Sequence, residues 1–131
     1  MVISSLISQK GAAHLLLNER KGNFVISNIS KKELEKVVKR LRLEQFKLQN
    51  LIKNSLKTVN ITEEIRVIKD KFKDYTSGQN DAHIVAGATK AKAKFLLTYN
   101  IRLFNRQKIR EDFAIVVLSP AQYLQYLRSL A

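Results

Sequence analysis

The chain has 131 residues, and its 24 Lys and Arg residues against 11 Asp and Glu residues give it a formal net charge of +13. Its length and its hydrophobic content of 45% support one domain with a real core, and the chain is short for two. The lack of cysteine excludes disulfides, thiolate metal sites and a cysteine nucleophile, and two histidines, His14 and His83, are too few for a histidine-based zinc site.

The excess of positive charge attracts polyanions, above all nucleic acid. A lysine-rich surface is also typical of proteins from a hot habitat, so the charge leaves a thermophile as the other interpretation. No apolar run reaches the roughly 20 residues of a membrane span, and the start "MVISSLISQKGAAHLLL" lacks the basic and apolar blocks of a signal peptide. We therefore expect a cytoplasmic protein without a membrane partner.

The first predicted elements are a strand and three helices. "FVIS" (Phe24–Ser27) predicts a short strand, and the apolar spacing in "SKKELEKVVKRL" predicts a helix after it. Ser30 and Glu33 have the spacing of a capping box, which would begin that helix. Apolar spacing predicts two further helices, and the short run "TVNI" lies between them. Their apolar residues are Leu48, Leu51, Ile52 and Leu56 in one helix and Ile65, Ile68 and Phe72 in the other.

The second half of the chain continues the alternation of strands and helices. "YTSGQN" is a predicted loop, and Asp81 begins a helix of small residues. "KFLLT" (Lys94–Thr98) and "FAIVVLS" (Phe113–Ser119) predict buried strands. Ser119 is a predicted cap with Pro120 at the first position of a last helix. Short apolar strands between long helices favour the α/β class, with a central parallel sheet covered by helices on both faces.

Acidic and amide side chains fall near the predicted junctions of strands and helices. Functional groups of parallel sheets collect at the carboxyl edge, and Glu33, Asp81 and Asn100 are placed near such an edge. Carboxylates there can bind Mg²⁺ or Mn²⁺, which activates water and neutralises charge on a phosphate. Each residue also has an ordinary explanation, because Glu33 and Asp81 suit helix starts and Asn100 suits a turn.

The sequence resembles a known family in its second half and around the first strand. "NDAHIVAGATKAKAKFLLTYNIRLF" and "FAIVVLSPAQYLQYL" are similar to the C-terminal half of a PIN domain, the fold of metal-dependent nucleases found in toxin-antitoxin pairs and RNA processing. "FVISNISKKELEKVV" and "VISSLIS" resemble earlier PIN segments. The resemblance implies a three-layer PIN-like fold spanning residues 1–131 as a single domain.

The resemblance also assigns roles to individual residues. Glu33 resembles the second acid of the PIN site and Asp81 the third, so both would bind the Mg²⁺ or Mn²⁺ ion. Thr98 matches the threonine that closes the fourth strand. Asn100 occupies the position where many members carry an acid, and an amide there attracts a cation less strongly.

The sequence departs from the family at its start. PIN domains resemble one another in a first strand ending Asp-x-Asn, whereas this sequence begins at "MVISSLIS". We expect the first strand and first acid to be missing, as in an N-terminally truncated domain with impaired catalysis. A missing central strand leaves unpaired backbone, and a homodimer is the expected remedy.

Basic residues follow the helix of small residues. Lys90, Lys92, Lys94, Arg102 and Arg106 are expected to contact nucleic acid beside the carboxyl edge, whereas His83 is expected to be a solvated helix residue. The leading hypothesis is a toxin-like PIN ribonuclease whose partners are RNA and an antitoxin protein. The alternatives are a non-catalytic PIN-like module that binds RNA or protein, and a lysine-rich structural domain.

Overall fold

The computed structural model describes residues 24–78 and 81–130, in which strands and helices alternate. No helix in these two ranges has the length and apolarity that crossing a bilayer requires. The expected loss of the first strand and the segment "VISSLIS" lie outside the described residues. In chain order the elements are β1 (Phe24–Ser27), α1 (Asn28–Arg40), α2 (Gln45–Ser55), β2 (Leu56–Val59), α3 (Ile65–Phe72), α4 (Ala82–Lys90), β3 (Phe95–Leu97), α5 (Arg106–Phe113), β4 (Val116–Leu118) and α6 (Pro120–Ser129), with 3₁₀ turns at Lys73–Tyr75 and Ile101–Leu103.

The strands pair in parallel, which confirms the predicted α/β class. β1 pairs with β2, and Phe24 lies opposite Leu56 in that register. β3 pairs with β4, and Phe95 lies opposite Val116. Parallel neighbours need crossover connections, and α1, α2 and α5 supply them. The described strands thus form two parallel pairs, whereas the sequence predicted one central sheet.

Buried side chains of the described residues form two clusters, one for each pair of strands. One cluster comes from α1, α2 and β2, and consists of Val38, Leu48, Leu51, Ile52 and Leu56. The other comes mainly from α3, α4, α5, β3 and β4, and contains Ile61, Ile68, Phe72, Ala82, Val85, Ala86, Leu96, Phe104, Ile109, Ile115 and Val117.

Helix α4 joins the two halves because it packs against both β1 and β3. The approach to β1 is close at Gly87, where an added Cβ atom would lie 3.3 Å from the Cβ atom of Ser27. A larger residue at position 87 would require Ser27 or α4 to shift by a few tenths of an ångström. Gly87 therefore permits the close packing of α4 on the end of β1.

The start of α1 differs from the prediction. The predicted capping box of Ser30 and Glu33 is wrong, because the cap is Ser27, whose Oγ atom accepts a hydrogen bond of 3.0 Å from the Ser30 N–H group. Ser27 ends β1 in an extended conformation, with φ −83° and ψ 161°, so its hydroxyl already reaches the third helical residue. Glu33 therefore lies in the second turn of α1.

Other boundaries were also shifted relative to the sequence interpretation. Leu56 begins β2, although it was assigned to a helix, and β4 contains only Val116–Leu118 of the predicted strand over residues 113–119. The sequence interpretation missed α5, because its residues are mostly charged and only Ile109 is buried. α3, the start of α4 after Asp81, and the Ser119 cap of α6 were predicted correctly.

Candidate active site

Glu33 extends from α1 toward the first turn of α4. Its Oε1 atom lies 3.2 Å from the Nε2 atom of His83, and 57% of its side chain is exposed. α1 and α4 are in contact, which places the two residues side by side although they are far apart in sequence. One carboxylate oxygen is thus held against α4 while the group stays open to water.

His83 is buried, which contradicts the prediction of a solvated helix residue. Only 7% of its surface is exposed, because it lies on the same face of α4 as the buried residues Ala86 and Gly87. That spacing of small residues was the signal for burial in the sequence. Its Nδ1 atom lies 3.4 Å from the Ser30 Oγ atom, and Ser30 Oγ accepts a hydrogen bond of 3.2 Å from Ser27 Oγ. The Nε2 atom makes no hydrogen bond to any described residue, because its contact with Glu33 has ion-pair distance without hydrogen-bond geometry.

Asp81 stands at the N-terminal cap position of α4. Its carboxylate makes no capping hydrogen bond, so its oxygens are not committed to the helix end. Its N–H group donates to the Gly78 carbonyl at 3.2 Å, and a Cβ atom added at Gly78 would lie 3.1 Å from Asp81 Oδ2. Glu33 touches the residue two positions after Asp81, and the direct approach of the two carboxylates stays a prediction.

Thr98 and Asn100 follow β3 on the strand's carboxyl side. The Thr98 N–H group donates to Leu118 at 3.0 Å, which extends the pairing with β4, and Thr98 Oγ1 accepts from the Asn100 N–H group at 3.1 Å. Asn100 is exposed, and its amide has no hydrogen bond within the described residues. Thr98 thus shapes the turn, and the Asn100 side chain is free to contact a ligand.

The loop before Asp81 is bonded to the segment after Asn100. Thr76 forms an antiparallel bridge with Phe104, and the Ser77 N–H group donates to Leu103 at 2.8 Å. The Tyr75 hydroxyl donates to Asp112 Oδ2 at 2.7 Å, which anchors the same loop to α5. This hydrogen bond to Asp112, with burial and the nearby negative charges, raises the pKa of Tyr75. The bonds connect the chain leading to Asp81 with the chain leaving Asn100.

The predicted nucleic-acid residues form two groups. Lys90, Lys92 and Lys94 are exposed at the C-terminal end of α4 and just before β3, and the nine-residue rise from Asp81 to Lys90 is about 14 Å along the helix axis. Arg102 and Arg106 are exposed on the segment after Asn100. Within the described ranges none of the five forms an ion pair, although Lys90 Nζ donates to the Asn60 carbonyl. The arginines, rather than the lysines, lie at the carboxyl side of β3.

Oxygen donors suited to a hard divalent cation are present on α1 and at the start of α4. The Glu33 carboxylate is open to water, the Asp81 carboxylate makes no capping hydrogen bond, and the His83 Nε2 atom lies 3.2 Å from Glu33 Oε1. No group of three or more His, Asp or Glu residues arranged for a metal occurs within residues 24–78 and 81–130. The donor chemistry fits a metal, and water or substrate must complete its coordination.

The comparison with protein families identifies the fold. The family model of the PIN domain matches residues 2–127 of the chain. The chain belongs to the PIN domain family. PIN domains are generally nucleases that use divalent metal ions, so a nuclease-type function is the general expectation for this chain. Neither the curated proteins nor the solved structures contain a match to this PIN domain.

Proposed function

We propose that this PIN domain is a metal-dependent endoribonuclease of the toxin-like type. The observation that carries the proposal is the 3.2 Å contact between Glu33 and His83, which holds an exposed carboxylate against the helix that Asp81 begins. The resemblance assigns Glu33 and Asp81 to metal binding. The positive charge of the chain suits a phosphodiester substrate, and the partner is RNA.

Each residue has a distinct part in the proposed reaction. Glu33 and Asp81 would hold the Mg²⁺ or Mn²⁺ ion, and the chemistry that a bound ion would supply is activation of water and neutralisation of charge on the phosphate. Asn100 offers a neutral amide to the substrate from the turn after β3, and Thr98 keeps that turn in place through its bond to the Asn100 N–H group. Arg102 and Arg106 would bind phosphates next to the cleaved bond, since both follow Asn100 directly.

The test is cleavage of single-stranded RNA in Mn²⁺ and in Mg²⁺. Glu33→Gln and Asp81→Asn should each lower the cleavage rate at least about 100-fold. Mutation of a residue that only hydrogen-bonds a metal ligand already lowers metal affinity or activity about 10- to 100-fold, and these two residues would be ligands themselves. Glu35→Gln is the matched control on α1 and should cleave like the wild type. Undiminished cleavage by both site variants would overturn the assignment.

A toxin-like nuclease also implies cellular partners. We propose a cytoplasmic protein that is neutralised by an antitoxin protein and that forms a homodimer. The resemblance to PIN domains of toxin-antitoxin pairs supports the antitoxin partner. Expression of the wild type should arrest growth, and Glu33→Gln should relieve the arrest at equal protein level.

The second candidate function is a non-catalytic PIN-like module that binds RNA or protein. Two observations favour it: an amide stands at Asn100 in place of an acid, and no cluster of three or more potential metal ligands occurs within the described ranges. This module would bind RNA without cleaving it in either metal, and Glu33→Gln would leave its RNA affinity unchanged.

A further inference from the structure

His83 is an unusual residue for the place that it occupies. It lies at the second position of α4 and is more than nine-tenths buried, yet both of its ring nitrogens face polar groups. The Nδ1 atom lies 3.4 Å from Ser30 Oγ, which itself accepts a hydrogen bond from Ser27. A polar pair of serines therefore supplies a partner for one side of the imidazole ring.

The other ring nitrogen has no hydrogen-bond partner among residues 24–78 and 81–130. His83 Nε2 is buried, and its nearest polar neighbour is the Glu33 carboxylate at 3.2 Å, in a geometry that does not form a hydrogen bond. Buried polar atoms without a partner are rare, because their lost hydration is not replaced. A group that binds between Nε2 and the carboxylate would satisfy both atoms.

The separation of the two atoms suits a shared cation. Two ligands at about 2.1 Å from one ion and about 90° apart are separated by about 3 Å. When Nδ1–H donates to Ser30, the lone pair is on Nε2, and histidine ligands of metals commonly donate their other N–H group to an oxygen in this way. Glu33 is 57% exposed, which leaves room for water and substrate on the remaining positions.

We propose that His83 Nε2 and the Glu33 carboxylate bind one divalent cation together, so that this PIN domain selects Mn²⁺ and other transition metals over Mg²⁺. The preference follows from the imidazole ligand, because Mg²⁺ takes oxygen ligands and transition metals accept nitrogen. The inference deepens the proposed function and rests on it for the role of Glu33.

Electron paramagnetic resonance of bound Mn²⁺ tests the ligand directly, since a coordinated imidazole gives ¹⁴N couplings. The chain has two histidines, so His14→Gln is the matched control. The couplings should appear in the wild type and in His14→Gln, and they should disappear in His83→Leu and in His83→Gln. A wild-type spectrum without ¹⁴N coupling, or a coupling that survives in folded His83 variants, overturns the proposal.

Calorimetric titration tests the metal preference. His83→Leu should weaken Mn²⁺ binding by about tenfold or more and change Mg²⁺ binding by less than twofold, whereas Glu33→Gln should weaken the binding of both ions. Equal losses for the two ions in His83→Leu would show that His83 only positions Glu33, and this result overturns the proposal.

The outcomes separate this inference from the proposed function. Nitrogen coupling in a wild-type protein that cleaves no RNA in any metal supports the shared cation and overturns the ribonuclease. RNA cleavage in Mg²⁺ by a protein whose bound Mn²⁺ shows no nitrogen coupling supports the ribonuclease and overturns the shared cation.

Discussion

At the scale of single residues, three of the residues that the structure describes adopt a backbone conformation that favours glycine. Arg42, Lys92 and Ala114 have φ angles of 57°, 54° and 57°, and each follows the end of a helix. This left-handed conformation costs about 1–2 kcal/mol for residues with a Cβ atom. This conformation lets the Leu43 N–H group donate to the Val38 carbonyl and the Ala93 N–H group donate to the Ala88 carbonyl. These are the hydrogen bonds that end a helix, and here residues other than glycine occupy the left-handed position.

The clearest test is Ala114→Gly, which changes no charge. The exchange should raise the free energy of unfolding by about 0.5–1 kcal/mol, because the relief of the left-handed strain exceeds the extra entropy of glycine in the unfolded chain. Ala121→Gly is the control at an exposed helical position of α6 and should lower the same free energy by about 0.5–1 kcal/mol. Urea unfolding measures both values, and a destabilised Ala114→Gly would contradict the strain argument.

At the scale of elements, one side chain connects the end of β1 to the chain that leaves β2. Asn28 Nδ2 donates to the Ile61 carbonyl at 3.2 Å, and Asn28 Oδ1 accepts from the Ile61 N–H group at 2.8 Å. Ile61 is buried at 6% exposure, so its main chain would otherwise lack partners. The same junction starts α1 and therefore determines where Glu33 lies.

Asn28→Ala should lower the free energy of unfolding by about 1–3 kcal/mol, because it leaves two main-chain groups of a buried residue without hydrogen bonds. Asn50→Ala, at an exposed position of α2, is the control and should change stability by less than about 0.5 kcal/mol. Denaturant unfolding of the three proteins measures the difference. Equal stability of the two variants would mean that water replaces Asn28 at Ile61.

At the scale of the whole molecule, the net charge of +13 governs binding to RNA. Counterions released from the phosphates make the logarithm of the binding constant fall with the logarithm of the salt concentration. The two basic groups follow different elements, with the lysines at the end of α4 and the arginines after β3. Measuring the salt slope for each group separately shows which group contacts the RNA phosphates.

Replacing Lys90, Lys92 and Lys94 by Gln should flatten the slope by about 0.7 for each phosphate contact that is lost on a single strand. The same change at Arg102 and Arg106 should flatten the slope and also lower cleavage, because these residues lie nearer the carboxyl side of β3. The control replaces the exposed residues Lys39, Lys53 and Lys57 by Gln. If the control flattens the salt slope as much as the site variants do, the binding comes from diffuse charge attraction and not from a defined surface.

Some features of this protein were determined by the sequence alone. The strand "FVIS", the helix after Asp81 and the Pro120 helix could be predicted because apolar spacing and capping are local properties. The PIN resemblance likewise came from short motifs, and the family match over residues 2–127 confirms it. The roles of Glu33, Asp81, Thr98 and Asn100 stay predictions.

Other features were decided only by the tertiary structure. The contact of His83 with Glu33 depends on how α4 packs against α1 and β1, which no local pattern specifies. α5 was not predicted because most of its residues are charged and its single buried residue, Ile109, gives no apolar periodicity. The division into two parallel pairs also depends on which strands meet in space. Local sequence determines which elements form, whereas the contacts between distant residues that build the site exist only after packing, because their energies depend on neighbours from other parts of the chain.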